Sequence, residues 1–351
     1  MATAILGRYL TLGEAVGCSG LVSPFSFSPI SRQVLESKIP LFFGILATPM
    51  VLPYLGLAHL LPSGGFQAIE STSRLILAML CVGFGSKFGG GCTSGHGLSG
   101  IGRLSIRSMT FVLTFMVVGA LVAIQFDTPS MLHVASTLPG KGKVAGVAVN
   151  AISNAVAATQ ADKALYAKII STAFFSYAAI AFAAKSNVIK RGSKVASYVK
   201  SLVHGATGVL FGVGLCVGQM VNPAKVATFL TFTKSTFDPS LMVLMGAALA
   251  ALVPGFYLIK KQFTTSGFGD SFAQPDTVTA EIDLKLVVGG AIFGAGWGLA
   301  GTCPGPLYVN VGAALSNGSF SFLSGTGLAL LTLWVGQSLA RLTNDLLAGG
   351  A

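Results

Sequence analysis

Carboxylates are scarce in this sequence. Asp and Glu number 11 in 351 residues, beside 22 Lys and Arg, and charged residues make up only 9% of the chain. Soluble domains carry about 25%, so an ordinary soluble enzyme is excluded. Phosphate-binding loops are also missing. No G-x-x-x-x-G-K-[ST] exists, and Gly83-Phe84-Gly85-Ser86-Lys87-Phe88 breaks the dinucleotide pattern at its last position. Direct use of ATP is therefore not expected. The basic residues form no stripe with interleaved aromatics, which argues against nucleic acid. Histidines number four, and His59, His133 and His204 stand isolated. His96 lies four residues after Cys92, but zinc wants four ligands. No metal and no cofactor are expected. Cysteines number five, an odd count, and four of them (all but Cys92) sit in or beside apolar runs. That is not the framework of a disulfide-stapled secreted domain. The N-terminus lacks a clear signal peptide, so the first apolar stretch is expected to be retained.

What is abundant is apolar surface. Hydrophobic residues are 52% of the chain, and the mean hydropathy is +0.76. Nine apolar segments lie near 4–21, 40–61, 74–89, 106–125, 164–184, 202–220, 240–259, 284–301 and 322–340. Several approach the ~20 residues that span hydrocarbon. Arg32, Lys38, Arg103, Arg107, Lys185, Lys190, Arg191, Lys194, Lys200, Lys260 and Lys261 all fall on one side if there are nine crossings. The positive-inside rule makes that side cytoplasmic. The expectation is a multi-pass protein of the plasma membrane, with its N-terminus outside, its C-terminus in the cytoplasm and lipid as its surroundings.

Four places break the apolar pattern. They are Ser23-Pro24, the glycine-rich stretch GSKFGGGCTSGHGLSG over 85–100, Asn222-Pro223, and Thr302-Cys303-Pro304. A shift of 211 residues lays Cys92 on Cys303, Gly83 on Gly294, Gly85 on Gly296 and Gly90 on Gly301. A shift of 199 lays Val22-Ser23-Pro24 on Val221-Asn222-Pro223. Each half holds the same two breaks in the same order, and the charge pattern enters them from opposite sides. The expected fold is thus an all-α integral membrane protein with about nine transmembrane helices in an inverted repeat, with short re-entrant half-helices. Residues 1–125 form the first repeat, 126–201 a connector with one transmembrane helix and a basic link, and 202–351 the second, inverted repeat.

Irregular backbone at membrane depth needs protein or a polar cavity around it. Ser23 and Asn222 each stand before a proline, as an N-cap stands before the first helical position. Thr302 precedes Cys303-Pro304 in a similar way, and Thr93 and Ser94 offer cap hydroxyls. Helix N-termini present free N–H groups and partial positive charge, which suits an anion. The alternative is that these residues only end helices and let them pack. Cys81 and Cys216 read as inert core thiols. Cys92 and Cys303 stand at helix starts, where the S–H is polarised. Such soft groups suit a ligand carrying polarisable sulfur. Cys18 lies shortly before the Ser23 break and could line the entrance. His96 either holds the broken helix or lines the path. Lys225, near a helix start, either snorkels to the surface or faces an anion.

GFGSKFGGGCTSGHGLSGIGRLSIRS (83–108) and GAGWGLAGTCPGPLYVNVG (294–312) closely resemble the YeeE/YedE sulfur-transport family. FGVGLCVGQMVNPAKVATFL (211–230) with Asp238-Pro239-Ser240 resembles the second of two half-length proteins that some bacteria encode separately. The chain looks like a fusion of both halves, over roughly 5–125 and 202–342. The resemblance implies thiosulfate uptake. It also implies that the motif cysteines, here Cys92 and Cys303, contact the substrate through S–H hydrogen bonds. In the first break Cys18 is the nearest candidate for a further cysteine, although AVGCSG matches poorly, and the third break has Asn222 instead. The expected function is a non-enzymatic permease for thiosulfate or a related small sulfur-containing anion. A cytoplasmic sulfur-carrier protein stays open as a partner. The alternatives are a carrier of sulfite or a selenium anion, a membrane thiol or sulfur-transfer enzyme using Cys92 with Cys303, and a structural scaffold.

Overall fold

The computed structural model describes residues 1–21, 34–61, 72–126, 128, 160–235, 237–273, 282–318 and 320–349. These residues form eleven α-helices and, among them, no strand. In chain order the helices are α1 (Ala2–Leu12), α2 (Ile39–Val51), α3 (Thr72–Phe88), α4 (Ile106–Gln125), α5 (Gln160–Lys185), α6 (Lys194–Val217), α7 (Pro223–Leu230), α8 (Ser240–Gln262), α9 (Leu284–Ala300), α10 (Pro304–Asn317) and α11 (Phe320–Gly349). A wide helical turn, Thr93–Gly100, follows α3.

Local sequence explains where these helices start. Ser105 caps α4 by accepting from the Ser108 N–H. Ser193 caps α6 through Ala196, and Asp283 caps α9 through Leu286. The 20 residues of α4 rise about 30 Å, the thickness of a bilayer's hydrocarbon. Its outer face is apolar too: Ile106, Met109, Leu113, Val117 and Leu121 are all exposed. They recur every three or four residues, opposite the buried Phe111, Phe115, Gly119 and Ala123. A helix in water would carry polar residues on that stripe. Six stretches of the described residues are long and apolar enough to cross a membrane, or seven if Thr72–Phe88 and Thr93–Gly100, bent by 45°, make one broken span. The chain is a helical multi-pass membrane protein.

Two of the expected apolar segments differ from their helices. The run 4–21 is helical only to Leu12. Gly13, at φ 76°, turns the chain, and residues 14–21 continue without a helix. Eleven residues rise about 16 Å, too little to cross alone. The run 40–61 is helical to Val51 and ends in two short 3₁₀ turns. The Ser23-Pro24 break and the apolar centre of the connector, over 129–159, lie outside the described residues.

Helix α3 is central to one group, packing on α9 and α11, with α9 also against α4. Helix α2 lies between α6 and α10, and α1 lies against α5, α6 and α8. Phe115 joins α4 to α9, with its ring edge-on to Phe293 at 5.4 Å and to Trp297 at 5.3 Å. The α3–α9 contact depends on small residues, as membrane helix packing generally does. A Cβ on Gly85 would lie 2.6 Å from the Gly289 carbonyl oxygen and 2.7 Å from the Phe293 Cα. Backbone cannot step aside as a side chain can. Gly85→Ala is therefore expected to cost about 1–3 kcal/mol, read as a lowered melting temperature in detergent. Gly246→Ala, which meets nothing within 4 Å, is the control. Equal melting of both variants would contradict this packing.

Candidate functional site

Two breaks have the same backbone geometry. After α3 the chain turns at Gly90 (φ 82°), and Cys92 follows in extended conformation (φ −135°, ψ −171°) as the N-cap of Thr93–Gly100. After α9 it turns at Gly301 (φ 63°), and Cys303 follows at φ −129°, ψ 172° as the N-cap of α10, with Pro304 next. The N–H of the fourth residue on closes the first turn in each: His96 to the Cys92 carbonyl at 2.8 Å, and Leu307 to the Cys303 carbonyl at 3.2 Å. A third break follows α6. There Asn222 caps α7 by accepting from the Ala224 N–H at 3.0 Å, with Pro223 at the first helical position. The backbone of Pro223 lies directly against Gly301. The Asn310 side chain of α10 donates to the Val221 carbonyl at 2.9 Å. The third and fourth breaks are thus tied together.

The thiols converge. Ser94 Oγ accepts from the Cys18 N–H at 3.0 Å and lies 3.1 Å from Cys92 Sγ. Thr93 Oγ1 donates to Cys303 Sγ at 3.2 Å. Tyr308 of α10 donates its hydroxyl to the Cys18 carbonyl at 3.2 Å. Each of the three thiols lies within electrostatic reach of the other two. All are buried and unoxidised. Among the described residues no group of His, Cys, Asp and Glu is placed to hold a metal. Cys81 and Cys216 stay inside α3 and α6.

A cavity lies beside Cys303, about 280 Å³ including its open mouth. Thr93, Ser94, Cys303 and Gly305 give it polar groups, and Met1, Leu98, Phe211, Leu215, Met220, Met245 and Pro306 complete its lining. Its interior has room for about one water molecule. The cavity wall carries no Asp, Glu, Lys or Arg side chain. Thr302, next to Cys303, is 1% exposed, and its hydroxyl has no partner in the protein.

His96 and Lys225 are engaged elsewhere. His96 Nδ1 lies 3.0 Å from Ser108 Oγ and Nε2 lies 3.3 Å from the Gly89 carbonyl. A carbonyl only accepts, so Nε2 carries a proton and, in the neutral ring, Nδ1 accepts from Ser108. The ring stacks on Phe111 at 4.3 Å. Lys225 donates to Asp238 at 2.6 Å, with both side chains buried. Asp238 also accepts from the Ser240 N–H at 2.9 Å and so starts α8. Ser23 lies outside the described residues. Sequence reading gave no role to Tyr308, Asp238 or Arg8, although the first two lie in the stretches that carry the family resemblance. Arg8 did have a signal, a charge within an apolar run.

Residues 199–344 match a family model described as a family of unknown function (DUF6691). A protein named "Probable transporter" from Xylella fastidiosa, strain Temecula1, is 38% identical over 121 residues, which are 34% of this chain and 80% of that protein. A second "Probable transporter", from Xylella fastidiosa strain 9a5c, is 39% identical over 110 residues, 31% of this chain and 73% of the relative. Another from strain Temecula1 is 33% identical over 111 residues, 32% of this chain and 76% of the relative. No solved structure matches. At these identities, over most of each relative's length, this chain belongs to the family of those Xylella fastidiosa proteins.

Proposed function

We propose that the chain is a membrane permease for a small sulfur-containing anion, thiosulfate first, passed between thiols and helix N-termini. The observation that carries this reading is a cavity lined by Cys303, with no Asp, Glu, Lys or Arg side chain on its wall, and with Cys18 and Cys92 tied in behind it through Ser94. An ion with a soft terminal sulfur and hard oxygens needs both kinds of contact. The cysteines supply soft, weakly donating sulfur. Thr93, Ser94, Thr302 and the first turn of α10 supply O–H and N–H donors. Cys303 Sγ accepts from Thr93 and faces the Gly305 N–H, so its own proton is left for a ligand. Neutral donors bind an anion without holding it as a buried cation would, which suits a site that must also release it. His96, Asn222 and the Lys225–Asp238 pair hold the breaks in shape around this cavity.

The wider architecture belongs to the proposal. Nine crossings in two inverted repeats, 1–125 and 202–351, joined by 126–201, would set Cys92 and Cys303 on either side of the midplane. Their matching backbone geometry supports that symmetry. The N-terminus is then outside the plasma membrane and the C-terminus inside. The names of the Xylella relatives agree with a transport role. No covalent step is required, so the chain is not an enzyme in this reading.

The test is uptake of ³⁵S-thiosulfate into cells that express the chain, with unlabelled sulfite or selenite as competitor. Saturable uptake that neither competitor blocks is the expected result. Block by sulfite moves the substrate to that anion. No uptake by correctly inserted protein overturns the assignment. A covalent sulfur adduct on purified protein would instead favour a sulfur-transfer enzyme.

A further inference from the structure

Two cations are buried among the described residues, Arg8 and Lys225, and they are buried differently. Lys225 is matched by a carboxylate as buried as itself, 9% against 8% exposed. The Arg8 side chain is 5% exposed, while its partner Glu14 is 40% exposed. Guanidinium nitrogens reach Glu14 and, at 3.1 Å, the Ala15 carbonyl. Nε is buried with no partner in the protein. Burying an arginine in apolar surroundings is costly, and a buried pair seldom repays that in stability. A purely structural pair would be expected to bury both members and to fill every donor. This one leaves a donor empty and its carboxylate at the protein surface.

The position adds to the case. Arg8 joins α1 to the irregular chain that carries Cys18, three residues beyond Ala15. It lies within electrostatic reach of Cys18, Tyr177 and His204. His204 is 3% exposed, and its Nδ1 also lacks a partner. The end of α1 meets the segment 266–273, where Gly267, Phe268 and Ala273 donate to Leu10, Thr11 and Gly13. Basic residues collect there: Lys200 pairs with Asp270, and Arg103 donates to the Ala273 carbonyl.

We infer that Arg8 is a second anion site, separate from the thiol cavity, which Glu14 occupies in the absence of ligand. A small oxyanion fits it by chemistry. The planar guanidinium pairs with two oxygens at once and keeps its charge at any working pH. The arriving anion takes the place of the Glu14 carboxylate, and Glu14 turns to water. The inference does not rest on the thiosulfate reading, because binding alone tests it.

The experiment measures thermal unfolding of the purified full chain in detergent, titrated with sodium sulfate at constant ionic strength. Bound anion stabilises as the logarithm of 1 + [sulfate]/Kd, so fitting the rise in melting temperature gives an apparent Kd, taken as the midpoint of the effect. Glu14→Gln keeps the size of the side chain and removes the competing charge. The midpoint of the sulfate effect is expected to fall by roughly tenfold in that variant, within the usual range of site coupling. Arg8→Gln removes the effect. A Cys92→Ala/Cys303→Ala double variant keeps it, which separates this site from the thiols. An unchanged midpoint in Glu14→Gln, or no sulfate effect in either wild type or Glu14→Gln, overturns the proposal. So does loss of the effect in the cysteine double variant. Should Arg8→Gln fail to fold, Glu14→Gln still decides. Failed thiosulfate uptake with an intact sulfate effect would sink the proposed substrate and leave this site standing.

Discussion

Replacing Cys303 by alanine is expected to lower thiosulfate uptake by about 10- to 100-fold, the scale of one lost hydrogen bond to a charged partner. The protein should otherwise melt near the wild-type temperature, because the change removes one atom from a cavity wall. Cys303 has this weight because its sulfur lines the cavity directly. Cys92 is one contact further back, behind the Ser94 hydroxyl, so Cys92→Ala should have the smaller effect. Cys303→Ser tests softness apart from hydrogen bonding. It keeps an O–H donor and loses polarisable sulfur, and its uptake should fall between wild type and Cys303→Ala. Cys216→Ala, whose thiol is buried in the α6 core and does not line the cavity, should change nothing in transport. Wild-type uptake by folded Cys303→Ala removes the thiol from the mechanism.

The largest loss of stability is expected at Lys225. Lys225→Met leaves the Asp238 carboxylate buried and without its counter-ion, a change that costs about 3–5 kcal/mol. Asp238 cannot turn to water easily, since it is itself buried and also holds the Ser240 N–H. Lys225→Met/Asp238→Asn removes both charges and keeps an oxygen for that N–H. It should recover most of the loss, because a neutral pair has no ion to desolvate. Melting in detergent reads both variants. A single variant as stable as wild type would show that Asp238 simply takes up a proton.

Much of the local pattern was legible in the sequence because it depends on neighbours in the chain. The cap before proline at Asn222 and the helix starts at Cys92 and Cys303 are local signals, and each matches its backbone. What could not be read is what distance in the chain conceals. Thr93 reaches Cys303 across 210 residues, Tyr308 reaches Cys18 across 290, and Asp238 meets Lys225 through a turn with no periodic mark. The run 4–21 misled because apolar residues continue past Gly13. Hydropathy records burial there, and the run is buried, but as irregular chain against other helices. His96 was left between two roles; its ring nitrogens meet Ser108 of α4 and the Gly89 carbonyl.

The narrowness of the cavity beside Cys303 bears on the cell's energy. A carrier of the proposed anion must not leak protons through the same opening. A continuous file of water is the usual conductor for such a leak. Space for about one water, lined in part by Phe211, Leu215, Met220 and Met245, cannot hold a file. Methionine side chains bend readily, so the wall can yield to an arriving ion and close behind it. On the proposed reading, this shape keeps the membrane insulated between transport events.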